Sequence, residues 1–375
     1  MAEGCDFDVV IAGSGPVGCA LALALKGSHV SVARIAGDGT VADRPIALSY
    51  GSRLILERLD VWKQIPCTQI DAIHVSQRHG FGRTVMRSEE IGLPALGYVT
   101  AYSELFALLA SQTPSVPGIL TGREPDEDGV TLRLSRGKEN ARVRTRLLVL
   151  ADGGANRDAE HARDYRQHAI VAEVTTERPH RGIAWERFTA EGPLALLPFR
   201  DRYAMVWSVR PESAAALLEF DESGFLGRLR DAFGGRLGSF DSVGARAAFP
   251  LSLRYGAISP APRTLAVGNA AQSLHPVAGQ GLNLGLRDAW ELAEELLEVP
   301  ENEIGRRRFL DRYSRRRRLD RYAGIGLTDF LARIFSNSLL PVAAARGAGL
   351  AMLDTLPPAR RFLARRMIFG ARALP

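Results

Sequence analysis

Apolar and polar positions along this chain fall into two textures. Near the start, Phe7-Asp8-Val9-Val10-Ile11-Ala12 is an almost unbroken apolar run, the pattern of a strand buried on both faces of a parallel sheet. Gly13-Ser14-Gly15-Pro16-Val17-Gly18 then predicts a turn, Ala20 to Leu25 a helix, and Val30-Ser31-Val32-Ala33 a second strand, completing a βαβ opening. Ser103 to Leu109 predicts a further helix. Strands follow at Val130–Ser135 and Val143–Thr145, and the run Leu147 to Ala151 ends at Asp152-Gly153-Gly154.

From about residue 166 to 250 the pattern shifts to short β-like runs separated by turn residues: Ala169–Val174, Gly182–Phe188, Leu194–Pro198 and Tyr203–Val209, interrupted by one helical stretch, Ala214–Phe233. Residues 263–330 return to the first texture. The remaining 45 or so predict helix, broken at Pro341 and Pro357-Pro358. The expected fold is α/β. A Rossmann-like domain takes 1–70, 96–165 and 251–330, an inserted β-sheet domain takes 71–95 and 166–250, and 331–375 forms a helical C-terminal segment.

Two glycine motifs carry chemistry. Gly13-x-Gly15-x-x-Gly18 lies between a strand and a helix, the context in which the first glycine makes the turn, the second admits a diphosphate and the third lets helix and strand pack. Residues 267–288 lead small residues and Pro276 into a helix that starts near Gly279-Gln280-Gly281 and continues through Leu282, Leu286, Trp290 and Leu297. Glycines let backbone approach a flat ligand, and a helix N-terminus presents unpaired N–H groups with about half a positive charge. Such a start suits a diphosphate or the anionic edge of a reduced flavin.

Composition narrows the classes. At 375 residues and 46% hydrophobic content the chain can bury a sizeable core. The net charge is +6, and only three of the 48 basic residues are lysines. That bias reads as a GC-rich coding sequence; nucleic-acid binding would need basic and aromatic residues interleaved on one module. Cys5, Cys19 and Cys67 have no CxxC spacing, which argues for a reducing compartment and against a disulfide framework or a metal site. No basic region precedes the first apolar run, and no stretch of about 18 apolar residues occurs, so neither a signal peptide nor a membrane span is expected.

The order of motifs resembles the aromatic-ring flavin hydroxylases over nearly the whole chain, in particular the FAD-dependent hydroxylases of ubiquinone biosynthesis and their 2-polyprenyl-6-methoxyphenol hydroxylase subgroup. Arg44-Pro45-Ile46-Ala47-Leu48 is similar to that group's Arg-Ala-Ile-Ala-Leu run. Ala151-Asp152-Gly153 matches its Asp-Gly motif. Gly268-Asn269-Ala270-Ala271-Gln272 carries the Asn and Gln of the subgroup where most relatives read Asp and His, and Ser273-Leu274-His275-Pro276 and Gly279-Gln280-Gly281-Leu282-Asn283 follow in family order. Glu186-Arg187-Phe188-Thr189 and Gly192-Pro193-Leu194-Ala195-Leu196-Leu197-Pro198 match the subgroup again.

The resemblance implies a para-hydroxybenzoate-hydroxylase-like fold, FAD as cofactor and NAD(P)H as co-substrate. It implies hydroxylation of a polyprenylated phenol by O₂ through a reduced flavin and a C4a-hydroperoxyflavin. By it, Gly13, Gly15, Pro16, Gly18, Arg44, Asp152, Gly153, Gly268, Asn269, Gly279, Gly281, Leu282 and Asn283 hold the cofactor. His275, Pro276, Gly279, Gln280 and Gly281 face the flavin, with His275 read as a packing residue rather than an acid or base. Glu186, Phe188, Leu196 and Pro198 face the substrate.

Two residues depart from the family. Arg34 stands where an acid usually holds the ribose hydroxyls. It could instead indicate a 2′-phosphate, or Asp38 or Asp43 could substitute; if the ribose contact is simply missing, Arg34→Glu should tighten FAD binding. Glu104 stands in Ser103-Glu104-Leu105 where relatives carry an arginine, and Asn156 with Arg157 replaces a serine after the Asp-Gly motif. Two rivals stay open: a sister hydroxylase for another aromatic, and an FAD-poor or inactive accessory protein of a biosynthetic complex, which Arg34, Glu104 and a somewhat compact chain support. The arginine-rich stretch at 306–318 reads as the solvated face of a helix packed on its own domain. The basic amphipathic pattern at 360–369 reads either so or as a surface for a membrane or partner. The expected setting is the bacterial cytoplasm, at most peripheral at the inner membrane, with a homo-oligomer left open.

Overall fold

The computed structural model describes residues 4–36, 43–78, 80–137, 139–153, 159–335 and 340–370. Among them, strand Phe7–Ala12 sits parallel between Val32–Ala36 and the second half of Glu139–Leu150, with Ile11 opposite Arg34 on one side and Val149 on the other. Helix Pro16–Ala24 crosses between the first two strands, so the βαβ unit forms where the apolar run and glycine turn place it. Val9, Val10 and Ile11 have no exposed surface, as expected for a strand with both faces covered.

The expected strands at 143–145 and 147–151 are one strand, Glu139–Leu150. Its first half pairs antiparallel with Val130–Arg136 and its second half parallel with Phe7–Ala12 and Thr264–Ala266. Charged Arg144 and Arg146 interrupt the apolar pattern because that edge is partly solvated, where they pair with Asp126 and Asp8. This seven-stranded sheet carries the glycine motifs at the C-terminal ends of its parallel strands, the usual ligand end of such sheets.

The second texture builds a nine-stranded sheet in which Ala72–Gln77 and Arg83–Arg87 extend Ile183–Phe188, Pro193–Phe199, Arg202–Val209 and His161–Thr176. One face packs Leu194, Leu196, Met205 and Trp207 against Phe225, Leu229 and Phe233. The expected helix 214–233 is two helices, Pro211–Glu219 and Glu222–Phe233, because Asp221 breaks the run and caps the second by accepting from Gly224 N–H at 2.8 Å. Helix Gln280–Leu297 returns the chain to the first sheet, and Arg307–Phe335, Leu340–Thr355 and Pro357–Phe369 follow. Pro357-Pro358 starts a helix rather than breaking one, since proline's missing N–H costs nothing in the first turn, and Pro341 lies within Leu340–Thr355.

Candidate active site

A continuous cavity of about 1360 Å³ runs from the glycine motifs to the opposite face of the nine-stranded sheet. Pockets for single small ligands span roughly 300–1,000 Å³, so one space of this size holds a cofactor and a second molecule together.

At one end lie Gly15, Pro16, Arg44, Gly153, Asn269, Gly279, Gly281 and Leu282. Gly13 has φ +148°, and a side chain there would come within 2.3 Å of the Ala151 carbonyl carbon. Gly18 packs behind it, 3.1 Å from the Gly13 carbonyl oxygen at its Cβ position, so it shapes the turn rather than lining the cavity. Gly15 caps helix Pro16–Ala24 with no side-chain bond. Gly279, at φ +59°, does the same for helix Gln280–Leu297, and its Cβ position lies 3.2 Å from the Ala47 Cβ. First-turn N–H groups of both helices lack intrahelical acceptors. These features fit FAD: bare backbone where a flat ring and a diphosphate need close approach, and two helix N-termini for anionic groups.

Asn283 is buried with its amide fully engaged. Oδ1 accepts from Ser49 N–H at 2.7 Å and Ser52 Oγ at 2.6 Å, and Nδ2 donates to the carbonyls of Ala47 and Gly279. It ties the helix start to the 45–49 strand and does not line the cavity, unlike the cofactor role expected of it. Gln280 donates to the Met367 carbonyl at 3.3 Å. His275 is fully buried. Its Nδ1 accepts from Val277 N–H at 3.1 Å, its ring meets Tyr165 edge-on at 5.0 Å, and burial pushes its pKa down to about 4. It therefore stays neutral and packs, while Pro276 lines the cavity.

Three residues that the motif reading missed hold this loop. Asp288 Oδ2 accepts from Gly268 N–H at 3.0 Å and Gln272 Nε2 at 2.7 Å, and Arg317 Nε donates to its Oδ1 at 2.8 Å. Tyr313 donates to the Asp288 carbonyl at 3.0 Å. Gln272 thus works through Asp288. Arg317 lies inside an arginine run whose pattern gave no sign that one member is buried. Arg316 turns the same way, onto Glu291, Glu294 and Glu295 of the 280–297 helix.

At the adenosine end the departures find partners. Arg34 is buried, does not line the cavity, and donates to the Thr113 carbonyl at 2.7 Å. It is a bracket between the second strand and helix Tyr102–Gln112, which removes the reason to expect tighter FAD binding from Arg34→Glu. Glu104 pairs with Arg200 at 2.9 Å. Arg44 lines the cavity over the Tyr102 ring, 5.1 Å from its centre. Asp43 lines it beside Arg44, held below the usual carboxylate range by its hydrogen bond from Ser103. Asp38, Asn156 and Arg157 lie outside the described residues. Asp152 follows the end of the long strand by two residues, just before cavity-lining Gly153.

At the other end the wall is a sheet face. Glu186 and Phe188 line it, but Leu196 and Pro198 do not. Side chains alternate along a strand, so Ala195 and Leu197 face the cavity, and Leu196 sits in the core behind with Leu194. Glu186 is half-buried by area, yet the surface it shows is cavity wall, and burial raises its pKa to about 7. Leu331, Leu350, Leu363 and Met367 of the last three helices close the apolar end. The 357–369 helix turns Ala364, Ile368 and Phe369 into its own domain, Phe369 edge-on to Tyr50 at 6.3 Å, and Arg360 pairs with Glu90 at 2.8 Å. Phe362, 62% exposed, stays outside. Among the described residues no helix is long and apolar enough to cross a membrane.

Comparison with known proteins agrees with this geometry. A family model described as FAD binding domain matches residues 119–322. The chain is 33% identical to ubiquinone hydroxylase UbiL of Rhodospirillum rubrum, over 96% of this chain and 88% of the relative. It is 29% identical to 3-demethoxyubiquinol 3-hydroxylase of Escherichia coli, over 92% and 93%. The crystal structure of p-nitrophenol 4-monooxygenase PnpA from Pseudomonas putida shares the fold at a TM-score of 0.76, with 19% identity and coverage of 98% and 99%. The chain belongs to the FAD-dependent hydroxylases of ubiquinone biosynthesis and is an FAD-dependent aromatic-ring monooxygenase.

Proposed function

We propose that this enzyme hydroxylates the ring of a polyprenylated phenol, with NAD(P)H as reductant and O₂ as oxidant. The observation that carries the reading is the single cavity: glycine-lined at the cofactor end, apolar along the sheet and closed by three helices at the far end. Bound FAD supplies the redox and oxygen chemistry. The chain's own tasks are the rest. Gly13, Gly15 and Arg44 hold the nucleotide side, and the helix start at Gly279 stabilises negative charge on the reduced ring. Phe188, Ala195, Leu197 and Val206 exclude water and orient the phenol ring. Leu350, Leu363 and Met367 offer an apolar path for a long tail.

The test is direct. FAD-loaded protein should consume O₂ with NAD(P)H in the presence of a short-tailed polyprenylphenol and yield the hydroxylated ring. Reductant consumption that the phenol does not accelerate, or that yields only hydrogen peroxide, sinks the substrate reading. We propose further that the enzyme works at a membrane surface, where exposed Phe362 and Arg361 stand beside the apolar end of the cavity. Liposome binding that Phe362→Ser leaves unchanged would remove that part.

A further inference from the structure

The cavity wall carries two polar side chains that the fold itself does not employ. Strand pairing places Thr84 opposite Val75, Val75 beside Glu186, Glu186 opposite Ala195 and Ala195 opposite Val206, so these side chains form one row across the sheet. All five line the cavity. Three of them are apolar. Glu186 Oε1 and Thr84 Oγ1 are both shut off from solvent without a hydrogen-bond partner, and Thr84 is only 3% exposed. Two strand spacings, roughly 10 Å, separate them.

A polar group left buried and unpaired destabilises the fold, a carboxylate most of all, so a row with two of them points to a ligand that completes them. Of the other charged side chains lining the cavity, Asp43 is bonded to Ser103 N–H beside Arg44, and Glu173 pairs with Arg202. Arg246, Arg346 and Arg360 line other walls, and none of these groups forms an ion pair with Glu186. Arg187, next in sequence, points to the far side of the sheet, where it donates to Ser76.

We propose that Glu186 accepts the hydrogen bond, and then the proton, of the substrate's ring hydroxyl, with Thr84 as the second polar contact for a ring substituent on the same row. The inference rests on the phenol reading above and assigns it a catalytic residue. The ring O–H bond breaks as an O–H bond forms on Glu186, and the electron pair left on the ring oxygen raises electron density at the carbon that receives the oxygen atom. When the ring then gives its C–H proton to water and regains aromaticity, Glu186 returns its own proton to the ring oxygen. No electrons pass through Glu186. Its raised proton affinity suits the task, because a carboxyl balanced near neutral pH can both take and return a proton.

The experiment compares wild type with Glu186→Gln, both loaded with FAD, using 2-farnesylphenol and its methyl ether as probes. Wild type should bind the phenol about tenfold or more tighter than the ether, measured by perturbation of the flavin spectrum, and Glu186→Gln, whose amide oxygen accepts without a charge, should discriminate several-fold less. In single turnovers of dithionite-reduced protein with O₂, Glu186→Gln should lose about 100-fold or more in product formation rate at unchanged FAD content. The wild-type rate should rise with pH through a step near 7 that the variant lacks. Glu186→Asp should restore part of the rate. A variant that keeps the wild-type discrimination, rate and pH profile overturns the assignment alone. A wild type that neither binds nor hydroxylates 2-farnesylphenol overturns the phenol reading and this assignment with it.

Discussion

Arg317 donates from Nε to Asp288 Oδ1 at 2.8 Å, with both side chains buried. The same guanidinium reaches Glu291 at 2.5 Å and Asp320 at 2.9 Å, two carboxylates that Arg316 and Arg287 share with it. Asp288 in turn holds Gly268 and Gln272, so the long 307–335 helix fixes the loop at the glycine end of the cavity although it is distant from it in sequence. Removing the cation leaves Asp288 buried without its ion-pair partner, while Glu291 keeps Arg316 and Asp320 keeps Arg287. Arg317→Met should lower unfolding stability by about 3–5 kcal/mol and weaken FAD retention, read by urea denaturation and by flavin released on dialysis. An unchanged midpoint would show that water screens the site.

Gly279 sits in the left-handed region with a neighbouring side chain 3.2 Å from its Cβ position. Gly279→Ala introduces both backbone strain and a contact with Ala47. The expected loss is about 1–2 kcal/mol of stability, with faster FAD release, because the strain falls on the helix start assigned to the cofactor. Gly281→Ala is the control: its Cβ position meets nothing nearer than Asn269 Oδ1 at 3.9 Å, so it should fold like wild type. Equal melting temperatures for the three proteins would contradict the strain argument.

Arg34 separates what a sequence position means from what its side chain does. Its place after the second strand suggests a ribose contact, but its guanidinium donates to the Thr113 carbonyl and leaves the cavity untouched. Arg34→Glu would set a carboxylate against that carbonyl in a buried site. It should cost about 1–3 kcal/mol or more of stability without tightening FAD binding, whereas Arg34→Met should leave the FAD dissociation constant within about twofold of wild type. Fluorescence titration with FAD decides; a markedly tighter Arg34→Glu complex would restore the missing-ribose-contact view.

Much of the fold was legible because glycines and apolar periodicity are local signals. The turn at Gly13, the helix start at Gly279 and the short strands at 169–209 need only neighbouring residues to be read. What escaped was set by tertiary partners. Leu196 and Pro198 belong to the right strand but the wrong face, since an apolar run such as Leu194-Ala195-Leu196-Leu197 hides its alternation when both faces are covered. Asn283 matches a cofactor motif yet serves Ser49 and Ser52. Arg317 is indistinguishable from its neighbours in sequence until Asp288 is placed beside it.

Acidification tests the buried titratable groups together. His275 and His74 are both held near pKa 4, His275 by burial alone and His74 by burial and then by Arg236. In the unfolded chain both protonate near 6.5, so between about pH 6.5 and 4 the unfolded state binds more protons and stability falls as pH falls. Each should remove roughly 2 kcal/mol between pH 7 and pH 5. Glu186 acts with the opposite sign. Its folded pKa of about 7 lies above the ordinary 4.5, so the folded state binds the extra proton over that window and gains roughly as much on acidification as one histidine loses. Urea denaturation at pH 7, 6 and 5 should therefore show a net loss in wild type. The loss should be shallower in His275→Asn, which removes a titrating ring, and steeper in Glu186→Gln, which removes the compensating carboxyl. Parallel pH dependences for all three proteins would mean that neither group is held in the protonation state that its surroundings impose.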